Sequence, residues 1–571
     1  MEVSVFDALP KDAKGLMDWS WAEFGPYYDD LIRRQLSAET VPRFLADWTR
    51  LSEVIDETYS RLHVATTVNT ADRQAEQRYH TFLDVVYPPS EDAEQKLKQK
   101  LLAQGVVPDR FEVPLLKMRS EAEIYREANV PLLIQEHKLS MEYDKIIGAQ
   151  TVQWDGKEIT VVQLRPIYQS IDRHLRESAW SVAAQRQLDD RGSIDRLWDE
   201  FMGVRAKLAA NAGFHDYRSY RWKQLKRFDY TPEDCKRFHE AIEQVVVPAA
   251  ARICERRRKL LNVANLRPWD LDVDPLGKPP LAPFQDVTEL QNRAAEIFQH
   301  VDPRLGGYFD TMVREGLLDL ENRKNKAPGG YCTEFAAAKR PFIFMNAVGL
   351  HDDVQTLLHE SGHAFHAFER SGLPYYQQRQ VGMEFSEVAS MAMELLASPY
   401  LAAEAGGFYS SAEAARARVE HLERWILFWP YMAVVDAFQH WVYENASEAH
   451  RPFNCDTQWK HLCERFMPWV DWAGLEQELV TGWHRKLHIH TVPFYYVEYG
   501  MAQLGAVQVW KNAIVDQPGA VAAYGQALAL GGTVSLPDLF TAAGAKFGFD
   551  AATLDSAVSL MEQTIHALNA R

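Results

Sequence analysis

His359 and His363 stand four residues apart in the run His359-Glu360-Ser361-Gly362-His363. On a helix that spacing puts both imidazoles on one face, where each can offer a ring nitrogen to a single zinc ion at about 2.0–2.1 Å. Glu360 lies roughly 100° further round, off that face yet near enough to act on a water beside the metal. The chemistry such a trio permits is metal-assisted hydrolysis with a carboxylate as general base. A site of this kind needs a third protein ligand. A third His ten residues after the first is ruled out, because position 369 is Glu369 and position 366, where Gly is usual, is His366. Residues 381–396 offer Glu384, Glu387 and Glu394 instead, three and seven apart on an otherwise apolar or small-residue helix. A carboxylate is seldom buried on such a surface without a partner. Spacing alone leaves Glu384 and Glu387 both open.

The element that must carry the two histidines is a buried amphipathic helix. Val354, Leu357, Leu358, Phe365 and Phe368 recur at helical spacing, and only Gly362 weakens the run. Just before it, residues 327–333 form a turn-rich loop and residues 340–346 a short strand, whose edge could bind an extended peptide main chain to main chain. Gly329-Gly330 is no phosphate loop, since no Lys-Ser/Thr follows at the required distance. Elsewhere the pattern is helical from about 19 to 104, with a boundary at 85–92 where Pro88 and Pro89 end one helix and Ser90 caps the next. Residues 148–164 read as two strands around Asp155-Gly156, the turn chemistry of a tight hairpin. Helices resume through 260, with Arg173, Arg176 and Arg186 on exposed faces. Residues 265–284 hold five prolines and Gly277, so they form a long crossover, packed through Trp269 and Leu271.

At 571 residues the chain exceeds what one core supports, so two or three domains or lobes are expected. We divide it into an N-terminal helical lobe, residues 1–190, carrying the hairpin near 148–164, and a catalytic region, residues 191–571. A 47% apolar content with 12% aromatic residues excludes disorder. The formal charge of −17 argues against nucleic acid as a partner, and the one basic cluster, Arg256-Arg257-Arg258-Lys259, reads as a solvated helix face. Five cysteines, odd in number and without C-x-x-C spacing, read as reduced thiols rather than a disulfide framework or a thiolate zinc site. The first seven residues lack a basic n-region and an apolar h-region, and no run of 18 apolar residues occurs, so the expected location is the cytoplasm, with no membrane partner.

The combination His359-Glu360-x-Gly362-His363-x-x-His366, followed by Phe385-Ser386-Glu387-Val388-Ala389-Ser390, resembles the M3 family of zinc metallopeptidases, in its oligoendopeptidase F branch. Trp48-Thr49-Arg50 and Pro341-Phe342-Ile343 sit where that branch carries similar segments. The resemblance implies that Glu387, in an E-x-x-S segment with Ser390, is the third ligand of one zinc ion per chain. It implies a mainly α fold, two helical lobes around a deep active-site channel, with a short sheet beside the zinc helix and the 340–346 strand lining the cleft. It further implies an endopeptidase of short peptides, acting by attack of a zinc-bound water activated by Glu360. Residues 484–500 supply Tyr and His groups able to donate to a tetrahedral oxyanion. Carried over to matching positions, the donors are His488, Tyr496 and Tyr499, with His490 and Tyr495 as rivals. Glu394 either orients a zinc histidine through its second nitrogen or is a lone surface acid. Cleavage preference and oligomeric state are not encoded in any motif, and a carboxydipeptidase or a peptide-binding protein without catalysis are the competing readings.

Overall fold

The computed structural model describes residues 5–570; residues 1–4, which open the N-terminal stretch read above, and residue 571 lie outside it. The chain is mainly helical, with one two-stranded and one three-stranded sheet among the described residues. It forms two compact units, each drawn from three stretches of sequence. The first comprises Met1–Ala122, Leu281–Ala417 and Ala502–Phe547; the second comprises Glu123–Pro280, Arg418–Met501 and Gly548–Arg571. The boundary expected at 190–191 falls inside the second unit, between helices Arg173–Asp189 and Arg191–Ala212, and the hairpin belongs to that unit too. Reading along the chain does not reveal which later segments return to an earlier core.

In the first unit the helix Val41–Val68 buries Phe44, Trp48, Leu51 and Val54 on one face. The Trp48 indole donates to Glu94 at 2.9 Å, which satisfies a buried N–H within the apolar contact. Pro88 and Pro89 lie in the first turn of the helix Tyr87–Gln104 rather than between helices, because the missing N–H groups have no intrahelical partner there in any case. Ser90 is accordingly inside that helix, its hydroxyl bonded to the Tyr87 carbonyl at 2.7 Å, and does not cap it.

The three-stranded sheet corrects another expectation. Its spatial order is Leu318–Glu321, Arg340–Ala347, Tyr331–Phe335, so the strand expected to present an edge is the central one, paired on both sides. Phe342, Ile343, Phe344 and Met345 are all buried, and such an unbroken apolar run marks a strand covered on both faces. Residues 331–333, expected within the turn-rich loop, belong to the edge strand Tyr331–Phe335, antiparallel to the centre with Cys332 opposite Ile343.

The second unit holds the hairpin Thr151–Trp154 and Lys157–Thr160, with Asp155 and Gly156 at φ 50° and 74°. Both central residues are left-handed, as a two-residue turn between twisted strands requires. Arg176 is not exposed. It is 2% accessible and donates to Asp270 at 2.9 Å, while Arg173 donates to the same carboxylate at 2.7 Å, which anchors the proline-rich crossover. The basic cluster is tied down locally: Arg256 pairs with Glu423, Arg258 and Lys259 pair with Glu255, and Arg257 donates to the Val273 carbonyl. Among the described residues no helix is long and apolar enough to cross a membrane.

Candidate active site

The helix carrying His359 and His363 runs from His351 to Arg370. It begins where Asp353 accepts the N–H groups of Val348, Gly349 and Leu350 at 2.8–2.9 Å, and Asp352 and Asp353 place negative charge at its N-terminal end. The second helix, Met383–Ala397, carries the three acids, all buried. The two helices cross at Gly362. A Cβ added there would lie 2.5 Å from the Ala389 carbonyl oxygen and 2.6 Å from Ser390 Cα, so only glycine allows the approach. The Ala389 carbonyl is also held by the Tyr524 hydroxyl, which donates to it at 2.7 Å.

This crossing brings Glu387 to both histidines. Glu387 Oε2 is 3.4 Å from His359 Nε2 and 3.8 Å from His363 Nε2. Ligand atoms on a zinc tetrahedron with bonds of about 2.0–2.1 Å are separated by about 3.3–3.4 Å, close to these spacings. His359 Nδ1 lies 2.6 Å from Glu394 Oε1, so the imidazole donates there and turns its Nε2 toward Glu387. Ser390 Oγ donates to Glu387 Oε2 at 3.1 Å and to the Glu387 carbonyl at 3.1 Å. Nε2 and the carboxylate are the nitrogen and oxygen donors that zinc takes, and a proton competes with a metal ion for the same nitrogen. Burial alone would lower the His359 pKa, but Glu387 and Glu394 outweigh it and raise it well above its ordinary value. Burial pushes His363, which lacks a second carboxylate at its ring, down to about 4.

Glu360 is buried, and its Oε2 has no hydrogen-bond partner among the described residues. Burial pushes its pKa up to about 7, opposed by the positive charge of His359 and by the backbone of Cys332, so the edge strand passes beside this carboxylate. A carboxyl group poised near neutrality can both accept and return a proton.

In the second unit His488 sits in the short turn Leu487–His490, and Tyr496 and Tyr499 open the helix Tyr496–Val515. The ring centroids of Tyr496 and Tyr499 lie 4.8 and 5.9 Å from that of His488, and Tyr495 lies at 5.9 Å. Burial pushes His488 down to about 4, so the ring is neutral above that pH. Its rival His490 is fully buried between Tyr143 and Trp483, at centroid distances of 4.5 and 5.7 Å. Phe494, just before the helix, holds φ at 65°, a conformation rare for an aromatic residue. What sequence reasoning missed is the purpose of Gly362, legible only once the facing backbone is known.

Residues 167–558 match the profile of peptidase family M3. Oligoendopeptidase F, chromosomal, of Lactococcus lactis subsp. cremoris is 29% identical over 168 residues, 29% of this chain and 27% of its own length. Oligopeptidase PepF of Bacillus subtilis (strain 168) is 26% identical over 159 residues, 27% of this chain and 23% of its own. The matched stretch thus spans about a quarter of these relatives. Among solved structures, PZ peptidase A with inhibitor 2 superposes with a TM-score of 0.85 at 26% identity, over 98% of this chain and 99% of that one. Oligoendopeptidase-F from Enterococcus faecium, at 16% identity, a TM-score of 0.58 and coverage of 96% and 97%, shares the fold. With most of its length matched by the family profile, the chain belongs to peptidase family M3, within its oligoendopeptidase F branch.

Proposed function

We propose that this chain is a zinc-dependent endopeptidase that hydrolyses internal bonds of short oligopeptides. The observation that carries the reading is the convergence of His359, His363 and Glu387 within 4.8 Å, beside a buried Glu360 with a free carboxylate oxygen. Zinc held by those three residues would supply Lewis acidity toward the scissile carbonyl and lower the pKa of an attacking water. Glu394 and Ser390 hold the donors in orientation, and Glu360 takes a proton from the water and passes it to the leaving amine. The edge strand Tyr331–Phe335 pairs with substrate main chain, so recognition depends little on side chains. His488, Tyr496 and Tyr499 donate to the developing oxyanion, each contributing about 2.7–4 kcal/mol if it acts as measured oxyanion donors do. The oligopeptide substrate class rests on the names of the relatives, and a cytoplasmic location on the five unpaired thiols.

Metal analysis combined with mass-resolved digestion of a peptide blocked at both ends tests this. Glu360→Gln retains the metal and loses about 10²–10⁴-fold in turnover, whereas Glu387→Ala loses the active-site ion. Release of terminal dipeptides alone would replace the endopeptidase reading with an exopeptidase one. Retention of that ion by Glu387→Ala and its loss from Glu384→Ala would overturn the ligand assignment.

A further inference from the structure

A second group of side chains of metal-ligating type lies in the second unit, and none of its members is used above. The helix Pro232–Ala241 carries Cys235 and His239, and the long helix Ser411–Glu444 carries Asp436 and His440 within its second-unit portion. Each pair is spaced four apart, so each presents both side chains on one helical face, and the two faces meet. Accessibility is 0% for Cys235, 4% for His239, 0% for Asp436 and 2% for His440. Ligand atoms of Cys235, Asp436 and His440 lie within 4.8 Å of one another. His239 Nε2 is 2.9 Å from Asp436 Oδ2 and fixes that oxygen. Asp436 Oδ1 is buried and has no hydrogen-bond partner among the described residues, while His440 Nε2 lies 3.3 Å from Asp436 Oδ2. An unpartnered carboxylate oxygen in a dry interior is costly, and a cation relieves it. After Ala241 the helix widens into a π turn, Ile242–Val246, an irregularity that recurs at functional sites.

We propose that Cys235, Asp436 and His440, with His239 bracing the carboxylate, form a structural site for a zinc-class divalent ion. One sulfur, one nitrogen and one oxygen donor suit a borderline-soft ion and exclude the all-oxygen preferences of magnesium and calcium. The burial keeps substrate from the site, so the ion ties two helices of the second unit together and takes no part in hydrolysis. This amends the reading of all five cysteines as plain thiols. Counting only C-x-x-C spacing overlooked the Cys-x-x-x-His and Asp-x-x-x-His pairs. The arrangement that competes is an ion-free hydrogen-bonded network. Arg218 Nη1 lies 3.3 Å from His440 Nδ1, which leaves a proton on Nε2, 3.3 Å from Asp436 Oδ2. Binding an ion through Nε2 moves that proton to Nδ1 and turns Arg218 fully onto Glu444, which it already holds at 2.6 Å.

The full-length protein, produced in zinc- or cobalt-supplemented medium, decides between them. Wild type carries two ions per chain, and Glu387→Ala, stripped of the active-site ion, keeps one. The cobalt form shows a thiolate-to-cobalt charge-transfer band that survives Glu387→Ala and Cys332→Ala and disappears in Cys235→Ser. The band in wild type and Glu387→Ala is informative even if Cys235→Ser fails to fold. A cobalt protein without that band, a band lost only with Cys332→Ala, or a Glu387→Ala chain with no ion overturns the proposal and leaves the hydrogen-bonded network.

Discussion

Gly362→Ala is the sharpest test of how the helix crossing builds the metal site. Taken as a helix position, Gly362 is a poor choice, and alanine there gains about 1 kcal/mol in propensity. Taken as a contact, the added Cβ meets the Ala389 oxygen at 2.5 Å and Ser390 Cα at 2.6 Å, where ordinary contact begins near 3.4 Å. Both are backbone atoms, and the carbonyl is pinned by Tyr524, so relief requires the helices to part by roughly 1 Å, at about 1–3 kcal/mol. Overpacking therefore matches or exceeds the propensity gain, and net stability falls by about 0–2 kcal/mol. The larger effect is on the ligands. Glu387 lies one helical turn from Ser390, and metal sites tolerate only about ±0.2 Å in ligand distance, so parting the helices moves the carboxylate out of range of His359 and His363. The expected outcome is a folded protein with little change in melting temperature and a severe loss of active-site zinc, measured by titration against a chelator. A Gly362→Ala chain with wild-type zinc affinity and activity would refute the reasoning, because the close approach would then not be what sets the ligand geometry.

Glu394→Gln weakens the orientation of His359 Nδ1 and is expected to lower zinc affinity about 10–100-fold, with stability little changed; chelator competition measures it. Asp270→Ala leaves two guanidinium groups with Arg176 buried and unpaired, and is expected to cost about 3–5 kcal/mol in chemical denaturation. The same carboxylate predicts an acid limb. Burial would raise its pKa, but the hydrogen bonds from Arg173 and Arg176 hold it below the ordinary value of 3.8. Its folded value is the lower one, so the stabilisation is complete above about pH 4 and is lost as pH falls through the folded value. Denaturation of the wild type and of Asp270→Ala should therefore differ most near neutrality and converge in strong acid.

Much of the site was legible because its ligands are local in sequence. His359, Glu360 and His363 fall within one turn of helix, and the three acids mark the next helix by being polar where everything else is apolar. The spacing could not choose between Glu384 and Glu387, since both lie on the facing side, and Glu387 was singled out by resemblance. Sheet order was out of reach for a different reason. A continuous apolar strand such as Phe342-Ile343-Phe344-Met345 indicates coverage on both faces, yet nothing in its composition says how many neighbours it has along its edges. The burial of Arg176 was hidden in the same way, since its partner Asp270 lies 94 residues on, inside a segment whose prolines advertise only irregularity. Cys235 and Asp436 were invisible as a pair for want of any motif that joins positions 201 residues apart.

The braiding of the two units has a consequence for biosynthesis. The polypeptide switches between them five times, and neither is complete before residue 547 has been made. A domain that forms one unbroken block can close its core while the remainder is still on the ribosome. Here the growing chain must wait, with the apolar faces of its early helices unmatched, until the stretch Ala502–Phe547 emerges, so this protein makes a long demand on whatever shelters nascent chains from one another.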